Sequence, residues 1–254
     1  MSSAALERVD RFRIGRVLND SLAVIRRNPV LCLGLGLVLY AVPRFAFSFW
    51  YVEATFSSGS AGFALLSQHR ILVIAGVLFY IGVIVILQTA LIRAAIVDMQ
   101  GEGPSMGDCL GVALAMFFPV LLASCAVTLA IMLGLVLLIV PGILLLLRWA
   151  ITIPVLIQEK RNILDSMARS RDLTKGNRWA LLGLWLILIV GGTLVGFAAP
   201  RLVVSLNFTF GLIVEALVKA AVTVFSSVAT AISYIELRQV KEGTSVEQLA
   251  EIFS

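Results

Sequence analysis

The chain has 254 residues, of which 60% are hydrophobic and 14% charged, with a formal net charge of +5 and a mean hydropathy of +1.01. Globular chains run at roughly 45 to 50% apolar and about 25% charged, so this composition excludes a disordered tail, a disulfide scaffold and a secreted enzyme. It points to a polytopic membrane protein.

The amino-terminal stretch carries Arg8, Arg11, Arg13 and Arg16. It lacks a short apolar run ending in a small-residue cleavage site before residue 29, which argues against a removable signal peptide. Between Phe12 and Arg27, Ile14, Val17, Leu18, Leu22 and Ile25 recur at helical spacing with arginines on the remaining faces. This predicts a helix lying on the membrane surface, its cations among anionic headgroups and each contributing on the order of 1 kcal/mol. Asn28-Pro29 then offers a cap and a first-turn proline to the first span.

A bilayer core of about 30 Å needs roughly 20 apolar residues in helical form. Six runs qualify: 29–51, 71–97, 119–140, 142–157, 179–199 and 210–235. The fourth is short and holds Arg148 and Pro154, so a re-entrant hairpin is its alternative, with any non-helical backbone at that depth buried in protein. Pro141-Gly142 predicts a tight turn before it. With six spans, fifteen of the twenty cations fall on one side, among them Arg11, Arg13, Arg16, Arg26 and Arg27, and Lys160, Arg161, Arg169, Arg171, Lys175 and Arg178 in the loop after the fourth span. Cytoplasmic flanks collect lysine and arginine, so both termini are predicted to be cytoplasmic, and these residues are the candidate lipid-headgroup contacts.

A second amphipathic stripe, Ile163, Leu164, Met167 and Ala168, ends at Gly176, and a weaker one starts at Ser105. The strings Asp20-Ser21-Leu22-Ala23, Asp108-Cys109-Leu110-Gly111 and Asp165-Ser166-Met167-Ala168 suggest three units, each a surface helix followed by a transmembrane hairpin. The alternative is three unrelated loops. The chain divides into a basic amphipathic segment (1–28), a six-helix transmembrane domain (29–235) and a cytoplasmic tail (236–254), where Thr244-Ser245 with Glu247 predicts a short capped helix. The fold class is all-α.

Charged side chains inside the bilayer are costly and mark polar interiors. Arg148, Glu215 and Lys219 sit at comparable depth, and Glu215 is expected to bridge the other two, pinning the fourth helix to the sixth. Small residues at spacing four, Ala126/Ala130/Gly134, Gly192/Gly196 and Ala216/Ala220, allow close helix approach, either within the bundle or in self-association. Trp50, Tyr51, Trp179 and Tyr234 read as interfacial belt residues. Cys32, Cys109 and Cys125 read as small apolar fillers. His69, the one histidine, falls in a predicted outer loop. One imidazole supplies no catalytic triad and no metal site, so no catalytic residue, metal or cofactor is expected. The basic segments flank spans rather than interleave with aromatics, which favours a lipid surface over nucleic acid.

Pro141-Gly142-Ile143, Arg148-Trp149, Pro154-Val155, Glu159, the run from Arg169 to Trp179 and Tyr234-Ile235-Glu236-Leu237-Arg238 resemble the membrane-domain family found fused to glycerophosphoryl diester phosphodiesterases and related uncharacterised bacterial inner-membrane proteins. The resemblance implies a roughly six-span bacterial inner-membrane module without phosphodiesterase activity, because that enzyme's catalytic barrel is a separate domain built around paired histidines and metal-binding carboxylates. The expected role is a non-enzymatic accessory or scaffold interacting with lipids, a membrane-protein partner or a second copy. A small-solute or ion transporter using the buried cluster is the rival.

Overall fold

A computed structural model describes residues 12–58, 70–204 and 208–252. These segments are helical apart from short connections. They run α1 (Ile14–Arg27), α2 (Pro29–Gly36), a π-helical turn (Leu37–Ala41), α3 (Val42–Ser58), α4 (Arg70–Met99), α5 (Met106–Ala115), α6 (Phe117–Leu137), α7 (Ile139–Trp149), α8 (Thr152–Glu159), α9 (Ile163–Thr174), α10 (Arg178–Val204) and α11 (Phe208–Ile252). Six stretches are long and apolar enough to cross a membrane: Pro29–Glu53, Arg70–Met99, Phe117–Leu137, Ile139–Glu159, Arg178–Ala198 and Phe208–Gly243. The chain is a membrane protein. Short helices α1, α5 and α9 each precede one helical hairpin and lie at one end of the bundle, here called basal. His69 and Arg11 lie outside the described residues.

Local chemistry explains where the spans bend. Pro43 has no N–H to return to the carbonyl of Leu39, and the ladder absorbs the lost bond in the wider turn at Leu37–Ala41. In the fourth span Pro154 likewise cannot serve Ala150, and the helix breaks at Ala150–Ile151 before restarting at Thr152. The Ser170 hydroxyl donates to the Arg148 carbonyl freed there, at 2.9 Å. The turn between α6 and α7 falls at extended Leu138, so Pro141 and Gly142 lie inside α7 rather than forming the turn that their sequence suggests. Pro141 fits because a first-turn N–H has no intrahelical acceptor to lose.

Glycine sets the spacing of this hairpin. A Cβ on Gly142 would meet the Leu135 backbone nitrogen at 2.7 Å, and one on Gly134 would meet the Gly142 Cα at 3.1 Å. The small residues therefore serve internal packing at this point, as Ala216 and Ala220 do where they are buried against Ala41. Gly142→Ala is expected to cost about 1–3 kcal/mol, since backbone rather than a flexible side chain must give way. Gly111→Ala, with nothing within 4 Å, is its control and should be neutral or gain up to about 1 kcal/mol. Equilibrium unfolding of both variants in micelles separates the two outcomes.

The packed core sits in the basal half. Helix α11 is its axis, touching α1, α4 and α10 most extensively and also α2, α3, α8 and α9. Leu87, Leu91, Val155, Leu156, Val228, Ile232 and Tyr234 are fully buried there. The distal halves expose apolar surface, as at Ile71–Phe79 and Val136–Val140, which suits a hydrocarbon solvent. Three expectations change at this level. The stripe of α1 that packs is Val17, Ser21 and Val24, buried in protein, while Leu22 points outward. Ser21 is tolerated on it because its hydroxyl donates to the Val17 carbonyl. Asn28 does not cap α2 with its side chain, which donates instead to Asp98 at 2.6 Å. Helix α11 runs unbroken to Ile252 rather than restarting near Thr244, since Lys241 and Glu242 favour helix and one interior glycine costs only about 1 kcal/mol.

Cys32 and Cys109 are buried, while Cys125 faces outward on α6. Burial pushes the Cys109 thiol up to about 11, which keeps it protonated and apolar at neutral pH. Trp179 is exposed at the basal end of α10, in keeping with an interfacial residue. Tyr234 is not one. It is buried, and its hydroxyl donates to Glu159 at 3.3 Å.

Candidate functional site

Two groups of charged side chains lie where helices converge. The first is within the spans. Lys219 donates to Glu215 at 2.6 Å one helical turn away, and Arg44 donates to the same carboxylate oxygen at 2.9 Å. Arg44 reaches it because the π-helical turn rotates the rest of the first span toward α11. Tyr40, inside that turn, stacks obliquely on Tyr80 with ring centroids 5.9 Å apart.

Arg148 is not among the partners of Glu215, in contrast to the expected bridge. Helix α7 packs on α6, α9 and α10 rather than on α11, so equal depth along two helices did not bring the side chains together. The Arg148 Nε is buried without a hydrogen bond among the described residues. Arg44 takes its place. Its sequence signal is a lone cation well inside an apolar run.

Lys219 also borders a groove of about 340 Å³ between α10 and α11, lined by Tyr40, Trp185, Gly192, Thr193 and Thr223 among others. Most of that lining is apolar. Thr193 and Thr223 donate to carbonyls of their own helices, so their hydroxyls are already satisfied.

The second group lies at the basal end. Glu159 closes α8 and accepts from Arg169 at 3.3 Å, from Tyr234 at 3.3 Å and pairs with Arg161 at 2.8 Å. Arg169 also donates to Glu242 at 2.6 Å, and Arg238 donates to Glu242 at 2.7 Å. One carboxylate thus ties α8, α9 and α11 together. On the opposite flank Arg27 and Asn28 both donate to Asp98, at 3.0 and 2.6 Å, joining α1 to the end of α4. Arg93 reaches Asp108, whose backbone N–H donates to the Ser105 hydroxyl at the start of α5. Arg16 makes an ionic contact with the buried Glu236 at 3.7 Å.

The candidate headgroup residues therefore divide. Arg16, Arg27, Arg161 and Arg169 are engaged by carboxylates, and the Arg178 Nε is buried without a hydrogen bond among the described residues. Arg13 has a contact within the protein. Arg26, Lys160, Arg171 and Lys175 are exposed, and no ion pair holds them among the described residues. No cluster of three metal-ligating side chains occurs among the described residues.

Helix α9 departs most from its sequence pattern. Its buried face is Ser166, Ser170, Leu173 and Thr174, whereas Leu164 is 78% exposed. Small hydroxyl residues let α9 lie close against α7 and α8, and Leu164 is left pointing away from them.

Glu159, Arg169 and Tyr234 are also among the residues on which the family resemblance rests. Residues 119–241 match the family described as the membrane domain of glycerophosphoryl diester phosphodiesterase. That segment, just under half of the chain, is similar to this membrane-domain family. The match begins in the first turn of α6 and ends at Lys241 in α11, and it concerns the membrane domain rather than a catalytic domain. No curated protein and no solved structure matches the chain.

Proposed function

We propose that the protein is a non-enzymatic membrane module of the bacterial inner membrane whose basal, cytoplasmic end engages anionic lipid. Both termini lie on that cytoplasmic side. The observation that carries this reading is the division of the basal cations: some lock the helices together, while Arg26, Lys160, Arg171 and Lys175 are exposed, as are the basal apolar side chains Leu164 and Trp179. Cations with adjoining apolar side chains fit the boundary between headgroups and hydrocarbon. The three short basal helices fit a threefold repeat, since Ser21, Cys109 and Ser166, the second residues of the three similar strings, are each fully buried. Its scaffold role extends to a membrane-protein partner or a second copy of the chain. The test is extraction of the full chain in native lipid particles, with bound lipids and proteins identified by mass spectrometry. Enrichment of anionic lipid over the bulk membrane is the expected result, and bulk-like composition contradicts it.

A second reading, a small-solute or ion transporter, is favoured by one observation. Arg44, Glu215 and Lys219 form a charged cluster within the spans, and Lys219 opens on the groove between α10 and α11. Flux through vesicles containing the protein, abolished by Glu215→Gln while the fold survives, would support it over the scaffold.

A further inference from the structure

A second groove, of about 460 Å³, lies at the basal ends of the third and fourth spans. Its walls are Phe118, Pro119 and Leu122 from the first turns of α6 and Leu156 from α8, and its basal mouth is formed by Lys160, Arg161 and Asn162. Phe118 is 71% exposed and Leu122 60%, so the apolar walls open sideways toward the bilayer rather than into the core. An apolar channel at the depth of the acyl chains, closed at the headgroup level by cations and an amide, matches an amphiphile with a negatively charged head.

Two further observations point to Lys160. Arg161 at the mouth is paired with Glu159 at 2.8 Å, whereas no ion pair holds the exposed Lys160 among the described residues, which leaves its positive charge uncompensated there. Lys160 also adopts φ +48°, ψ +36°, left-handed backbone that glycine takes most readily. Among the described residues it is the sole non-glycine with positive φ. A lysine held where glycine would close α8 at lower conformational cost keeps its charge for a use other than the turn.

From this geometry we infer that the groove between α6 and α8 is a binding site for one anionic membrane phospholipid, its chain along Phe118, Pro119 and Leu122 and its phosphate at Lys160, Arg161 and Asn162. The site rests on the lipid-engaging reading above and gives it a place.

The test uses the full chain in bilayer discs of phosphatidylcholine with and without phosphatidylglycerol, counting retained lipids by native mass spectrometry and reading thermal unfolding. For the wild type, phosphatidylglycerol should be retained and raise the melting temperature. Lys160→Gly suits the backbone there, so its stability in pure phosphatidylcholine should match or exceed the wild type, while phosphatidylglycerol retention falls about fivefold, the factor one interfacial cation confers. Leu122→Trp, which fills the channel without touching charge, should reduce retention as well. Gly111→Ala, away from the groove and with nothing within 4 Å, should leave it unchanged. Undiminished retention in both Lys160→Gly and Leu122→Trp overturns this site but spares the general reading. A wild type with no preference for phosphatidylglycerol overturns both. Equal stabilisation by soluble inorganic phosphate overturns the lipid assignment, because it would show that the channel contributes nothing.

Discussion

Glu215→Ala is expected to lower the unfolding free energy by about 3–5 kcal/mol, the cost of stranding charges whose counter-ion has been removed. Arg44 and Lys219 both lean on that carboxylate, at 2.9 and 2.6 Å, and both belong to candidate spans. Its partial exposure, 22%, places the outcome toward the lower end of that range. The triple variant Arg44→Leu, Glu215→Leu, Lys219→Leu removes the cluster as a unit, and should recover stability to within about 1 kcal/mol of the wild type, because apolar side chains replace ions that are costly to desolvate. A double-mutant cycle between Glu215→Ala and Arg148→Leu should be additive to within about 0.5 kcal/mol, as befits side chains without a shared partner. Reversible unfolding in micelles, followed by tryptophan fluorescence, reads all of these. A stable Glu215→Ala variant, or strong coupling to Arg148, would remove the cluster described here.

Periodicity and run length place five of the six spans within about three residues, because hydrocarbon demands a minimum length of apolar helix, while the sixth runs eight residues past its expected end, to Gly243. What they could not place was azimuth. Whether Arg148 or Arg44 meets Glu215 depends on which helices are neighbours, and the π-helical turn before Pro43 is what turns Arg44 toward α11. The basal helices show the same limit. Spacing puts Leu22 in α1 and Leu164 in α9 on the apolar stripes of surface helices, and the faces that pack in the protein carry instead Ser21, Ser166 and Ser170, whose small size permits close contact. In a membrane protein an outward leucine meets lipid without penalty, so apolar spacing loses the meaning it has in water. Tyr234 shows the same limit: an aromatic near a span end has an interfacial pattern in sequence, and the Glu159 acceptor that holds it inside lies 75 residues away.

Glu159→Ala is the other substitution expected to cost heavily, about 3 kcal/mol. Hydrogen bonds to charged groups contribute about 1.5–3 kcal/mol each, but three donors sharing one carboxylate are not additive. Glu159 is 13% exposed and accepts from helices α9 and α11 at once, so removal leaves a buried tyrosine hydroxyl and the Arg161 guanidinium without their acceptor, while Arg169 keeps only Glu242. Tyr234→Phe gives up only the 3.3 Å bond and should cost about 0.5–1.5 kcal/mol. Were Glu159→Ala to unfold like the wild type, the network would be an ordinary solvated set of surface ion pairs. The milder Glu159→Gln reaches the lipid groove through the same carboxylate. It frees Arg161, now paired at 2.8 Å, and adds one positive charge to the mouth beside Lys160. Stability should fall while phosphatidylglycerol retention rises about fivefold, opposite in sign to Lys160→Gly. A general loosening of the basal end would instead reduce both quantities together, so the direction of the retention change separates a carboxylate that restrains Arg161 from one that merely holds three helices in contact.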